Sequence, residues 1–111
     1  MSDTEFHVET VHINGEIVLA LAGEIDTLSA PNLGAAAVRF AGEGMRLVFD
    51  LGGVTFMDSA GLSVIAGTVR RLQREGGSLC IRNARDQVRR LLEMTAIDQY
   101  VTIDYTPETF E

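Results

Sequence analysis

From Phe6 to Ala22 two β-rich runs flank Asn14-Gly15. That dipeptide suits the positive φ angles of a two-residue hairpin turn, so the two runs are expected as antiparallel neighbours. In the second run Ile17, Leu19 and Leu21 alternate with Val18, Ala20 and Ala22. Both phases are apolar, which places this strand inside a sheet. In the first run Phe6 and Val8 are out of phase with Val11 and Ile13, pointing to a bulge or an edge. Ser29, with Pro31 two residues later, reads as an N-cap region with proline in the first turn of a short helix. The helix is expected to run to about Ala41 and to stop at Gly42-Glu43-Gly44.

Arg46 to Leu51 is a compact β-run bounded by Gly44 and Gly52-Gly53, short enough for a buried central strand. A short loop through Met57 leads to Asp58-Ser59-Ala60-Gly61. Leu62, Ile65, Ala66, Val69 and Leu72 then recur at helical spacing up to Gly76-Gly77. Leu79-Cys80-Ile81 predicts another strand, and Val88, Leu91, Leu92 and Thr95 line a helix that begins near Ala84 or Arg85. Tyr100 to Tyr105 closes the pattern as a β-segment, with a polar tail from Thr106. The order ββαβαβα(β) predicts one α/β domain over residues 1–111, with its core at about 6–105. Its mixed central sheet would open on the N-terminal hairpin, carry packed helices and use right-handed crossovers.

A chain of 111 residues that is 46% hydrophobic and 23% charged has the composition of a globular domain, not of a disordered one. No apolar run reaches membrane-spanning length and MSDTEFHVET has no signal-peptide character, so a cytoplasmic protein is expected, with no membrane partner. The net charge of −7 disfavours direct binding of nucleic acid. The charge is unevenly placed: residues 70–90 hold seven arginines and two acids, while residues 91–111 hold five acids and no base. Arg70, Arg71, Arg74, Arg85, Arg89 and Arg90 read as solvated outer faces of two helices, ahead of a charged docking surface. Cys80, the lone cysteine, falls in an apolar phase and reads as a buried structural thiol; it permits neither an internal disulfide nor a cysteine zinc site.

Catalytic patterns fit poorly. Ser59 sits at a strand-to-helix turn, but Asp58-Ser59-Ala60-Gly61 is not a Gly-x-Ser-x-Gly elbow. The two histidines, His7 and His12, both fall in the first strand. Gly52-Gly53 lacks the Gly-Lys-Ser/Thr of a phosphate loop, and the chain contains no lysine. A phosphoreceiver needs paired acids after its first strand, where this chain has Ile13-Asn14-Gly15. No cofactor or metal is called for. What remains is Asp58-Ser59 at a helix N-terminus, where either residue could cap the helix and only one is needed. A phosphate on a free hydroxyl there would lie against the partial positive charge of the helix, beside a carboxylate that a docked partner would also feel.

Gly23-Glu24-Ile25-Asp26, Val48-Phe49-Asp50-Leu51, Phe56-Met57-Asp58-Ser59-Ala60-Gly61-Leu62 and Gly76-Gly77 together resemble the STAS-domain family, and within it the bacterial anti-sigma factor antagonists. The likeness runs from about residue 6 to 105. It implies a switch protein, not an enzyme, whose Ser59 is phosphorylated by a partner anti-sigma factor that is itself a serine kinase. The unmodified form would bind that partner and free the sigma factor, and a PP2C-type phosphatase would restore it. The same resemblance assigns the docking surface to Glu24, Asp26, Thr27, Asp58, Ala60, Gly61, Leu62 and Ser63. Two departures are Ala60, where many members carry a second serine, and Met94-Thr95-Ala96-Ile97, where Met-Ser-Gly-Leu is common. Other readings are a stand-alone scaffold subunit of a signalling, transport or lipid-trafficking assembly and, more remotely, a small hydrolase using Ser59.

Overall fold

In a computed structural model, which describes residues 5–40, 46–99 and 101–104, the alternation after the hairpin turn becomes a central strand. Strand β2 (Glu16–Ile25) buries every second residue, from Ile17 through Leu19 and Leu21 to Ile25. Strand β1 (His7–Ile13) pairs with it antiparallel in unbroken register, from His7 opposite Ala22 to Ile13 opposite Glu16. Asn14 and Gly15 take φ of 51° and 79°, as a type I′ turn requires. The phase change in the first run is therefore the mark of an edge strand, with no bulge in it. Phe6 and Val8 pack against the core, while Val11 and Ile13 are exposed.

After the hairpin come α1 (Ala30–Phe40), β3 (Arg46–Met57), α2 (Ser59–Arg74), β4 (Ser78–Arg82), α3 (Asp86–Met94), a 3₁₀ turn at Ile97–Gln99, and β5 (Thr102–Asp104). The sheet order is β1-β2-β3-β4-β5, with β2 to β5 mutually parallel. The C-terminal ends of β2, β3, β4 and β5 thus share one end of the sheet. The expected stop at Gly42-Glu43-Gly44, the residues Ala41, Tyr100 and Tyr105, and the polar tail lie outside the described residues.

Leu19, Phe49 and Ile81 stand in one register row. They form a single core with Leu33 of α1, Ile65 and Leu72 of α2, and Val88 and Leu92 of α3. The helices thus cover the face that carries the odd-numbered residues of β2. On the opposite face Val18, Val48 and Cys80 form a row, and Val48 is fully buried. Its cover is ionic: Glu16 pairs with Arg46 and with Arg82 at 3.2 Å. Arg82 belongs to the next row on that face, beside Asp50, so its reach to Glu16 crosses Val48 diagonally. The hydrogen bond from Arg46 holds the Glu16 carboxyl below its ordinary value; partial desolvation opposes this and Arg82 reinforces it. The lowered value makes this network stabilising above the usual carboxylate range, and the contribution is lost as pH falls through the lowered pKa.

Strand β3 is longer than its pattern predicts. It was expected to end at Leu51, yet it passes through Gly52-Gly53 to Met57, and irregularities in its register with β2 fall between Ala20 and Ala22 and between Gly23 and Glu24. The glycines here permit close approach. A Cβ on Gly53 would lie 2.8 Å from that of Ala22. Gly23 has φ of 92°, and a Cβ there would lie 2.4 Å from the Glu5 carbonyl oxygen. Gly23→Ala is expected to cost about 3 kcal/mol from backbone strain and overpacking. The reading is a lower urea midpoint at unchanged slope, and a wild-type midpoint would contradict this packing.

Candidate functional site

The site is built where β3 hands over to α2. Asp58 keeps an extended backbone, φ −113° and ψ −168°, and its Oδ1 accepts the Ala60 N–H at 2.8 Å. Its own N–H donates to the Ile25 carbonyl at 3.2 Å, tying the end of β3 to the end of β2. Asp58 is thus the helix cap. Ser59, the first helical residue, is exposed, and capping leaves its hydroxyl without a task. Gly61 is buried, and a Cβ on it would lie 2.6 Å from Met57 Cγ and 2.9 Å from Ile25 Cγ2. The missing side chain lets the first turn of α2 sit down on the strand ends, so Gly61 lies beneath the surface expected to dock. Ala60 and Leu62 are half-buried and Ser63 is exposed.

Beyond Asp50, paired with Arg82, β3 has no strand on its β4 side among the described residues. Side chains from the segment after β4 replace it. Asn83 Nδ2 donates to Asp50 Oδ1 at 3.1 Å, and Arg85 Nε donates to the Gly52 carbonyl at 2.8 Å. The Gln87 amide engages Met57 twice: its Oε1 accepts the Met57 N–H at 3.1 Å, and its Nε2 donates to the Met57 carbonyl at 3.0 Å. Gln87 thus acts as a one-residue strand that fixes the backbone just before Asp58-Ser59. The only trace of this in the sequence is the polar run between Ile81 and Val88.

The β2–α1 loop forms the adjoining surface. Asp26 Oδ1 accepts from Leu28 N at 3.0 Å and from Ser29 N at 3.1 Å. These bonds and the Ser29 hydroxyl lower the Asp26 pKa, the Ser29 N–H most, against some desolvation. Ser29 precedes α1 as expected of an N-cap, but its hydroxyl bonds to the Glu24 carbonyl and to the Asp26 backbone and carboxylate. Thr27 is exposed, and Glu24 is half-buried on the face away from the helices. Leu28, a lone leucine in an otherwise polar turn, is 88% exposed beside them. A groove of about 550 Å³ starts at Ser59 and follows α2 past Leu62, Ala66 and Val69, with Ile97 opposite. Of the arginines between 70 and 90, Arg70, Arg74 and Arg90 are exposed, while Arg89 pairs with Asp86 and Arg71 with Glu75. No cluster of His, Cys, Asp or Glu able to hold a metal occurs among the described residues. Nor is any helix among them long and apolar enough to cross a membrane.

The family model described as "STAS domain" matches residues 7–110. A Bacillus subtilis (strain 168) protein named anti-sigma-B factor antagonist is 34% identical over 102 residues, which cover 92% of this chain and 94% of the relative. The crystal structure of an anti-sigma factor antagonist from Mycobacterium paratuberculosis superposes with a TM-score of 0.84 at 27% identity, covering 95% of this chain and 90% of that one. The Bacillus cell fate determinant SpoIIAA in its phosphorylated form shares the fold, with a TM-score of 0.68 at 19% identity and coverage of 92% and 93%.

Gln87→Ala would strip two partners from the Met57 backbone at a cost of about 1–3 kcal/mol. Amide exchange at Met57 is expected to accelerate more than exchange in the core of β2, and equal protection in both proteins would refute the bridging role. Lowering the pH through the depressed Asp26 pKa should loosen the β2–α1 loop, because protonation removes an acceptor that the folded form favours. Exchange at the Leu28 and Ser29 amides reports this, and Asp26→Ala should abolish the pH dependence.

Proposed function

The chain belongs to the STAS-domain family, and on that premise we propose that it is an anti-sigma factor antagonist switched by phosphorylation of Ser59. The observation that carries this reading is the division of labour at the head of α2: Asp58 alone caps the helix, and the neighbouring hydroxyl projects into solvent. The partner is an anti-sigma factor that is also a serine kinase. It transfers the γ-phosphoryl group of ATP to Ser59 Oγ, whose proton leaves to solvent or to a base of the kinase. A PP2C-type phosphatase reverses the modification by hydrolysis.

The added dianion lies at the positive end of α2, which favours it, and beside Asp58, which does not. The fold therefore tolerates the phosphate, while a partner docked over Ser59 meets a concentrated negative charge. The docking surface in this reading joins Asp26, Thr27 and the exposed Leu28 to Asp58, Ser59, Ala60, Leu62 and Ser63. Glu24 stands at its margin. Asp26 orders the loop through one carboxylate oxygen, so its effect on docking runs through the loop as well as through its charge. A hydrolase has less support: His7 and His12 lie on the exposed edge strand, two strands away from β3.

Incubation with the cognate kinase and ATP should add one phosphate within the segment from Phe56 to Arg70. Ser59→Ala should abolish it while moving stability by less than about 0.5 kcal/mol. Stoichiometric phosphorylation of Ser59→Ala would overturn the assignment. Ser59→Asp, with part of a phosphate's charge, should weaken binding of the anti-sigma factor by about 1–3 kcal/mol. A scaffold subunit would bind its partner equally well in either form.

A further inference from the structure

Natural sheets blunt their edges with charged side chains, above all lysine, and with proline, bulges or very short strands. Of these devices β1 has a single charged residue, Glu9. It spans seven residues, His7–Ile13, without proline, glycine or lysine, in unbroken register with β2 and with all but Val8 exposed. Exposed apolar residues lie along it, Val11 at 39% and Ile13 at 49%. The opposite edge, β5, has three described residues, Thr102–Asp104.

The outward backbone groups follow from the hairpin. A two-residue turn closes on a hydrogen-bonded pair, here Ile13 and Glu16, and such pairs alternate along an antiparallel ladder. His7, Glu9, Val11 and Ile13 therefore bond to β2, while Val8, Thr10 and His12 turn their N–H and C=O groups outward. This outward set is symmetric about Thr10.

We propose that β1 pairs antiparallel with β1 of a second copy of this chain about a two-fold axis at Thr10, joining two five-stranded sheets into one of ten strands. In that register Thr10 meets Thr10 of the second copy, and Val8 meets His12 in both directions. These pairs satisfy all six outward groups of each copy with six hydrogen bonds. On the open face Glu9 stands opposite Val11, His7 opposite Ile13, and the two Val11 side chains, like the two Glu9 side chains, become diagonal neighbours. No like charges stand directly opposite, so the strand is complementary to itself. The Ser59 end of each sheet remains free, and the pairing is independent of the switch proposed above. Pairing along a single strand makes a small interface and hence a weak association, with a Kd of about 10–100 µM.

Sedimentation of the full chain from about 5 to about 500 µM should show the mass rising from one copy towards two across that range. Thr10→Pro removes an outward N–H and no β1–β2 bond, so it should leave the far-UV spectrum unchanged and hold the protein at one copy. Val11→Glu sets a carboxylate opposite Glu9 of the second copy at two symmetric positions and should weaken pairing about tenfold. It serves as the test if Thr10→Pro fails to fold. Wild-type protein that stays at one copy throughout would overturn the proposal, as would a dimer that survives either folded variant unchanged.

Discussion

The end of the molecule that carries the proposed switch depends on the satisfaction of one overhanging strand. Among the described residues, β3 runs beyond its last pair with β4 and carries the chain to Met57 with a strand on one side only. Backbone groups left half-buried there would be costly without partners. Arg85 and Gln87 supply them through side chains, while Asn83 holds the Asp50 carboxylate that accepts the Gly52 N–H. The β4–α3 connection and the head of α2 are therefore one mechanical unit, although they lie some thirty residues apart in sequence.

On that support the start of α2 separates two tasks that adjacent polar residues could have shared. Asp58 caps, Gly61 admits the strand ends beneath the first turn, and Ser59 contributes neither cap nor packing. A hydroxyl that the fold does not use can be modified without unfolding the domain. Its neighbours, the ordered Asp26 loop and the half-buried Leu62, lie where a bound protein would sense the change. In the proposed switch the helix dipole and the Asp58 carboxylate would act on a Ser59 phosphate with opposite sign, so the modification would bear on docking more than on stability.

Much of the fold was legible in the sequence because its periods are clean: the Asn14-Gly15 hairpin, the alternation in β2 and the helical spacing of α2 each have one simple solution. The length of β3 was not, because Gly52-Gly53 has the composition of a break, and only pairing with β2 shows that its glycines serve close approach to Ala22. The close packing of Gly61 has no local signal either, because its neighbours Met57 and Ile25 come from two different strand ends. Gln87 was invisible for a similar reason. An amide that substitutes for a strand has no local pattern, and its partner is thirty residues away.

The most direct measurement is an NMR titration of the isotopically labelled chain, unmodified and enzymatically phosphorylated at Ser59, with its anti-sigma factor. Phosphorylation of the free protein is expected to shift amides near residues 57–64 and in the Asp26 loop and to leave the core of the sheet in place. The partner should then perturb those same amides in the unmodified form and lose most of its affinity for the phosphorylated one. Shifts spread through β2 and β3, or equal binding of the two forms, would contradict a switch that acts on docking and spares the fold.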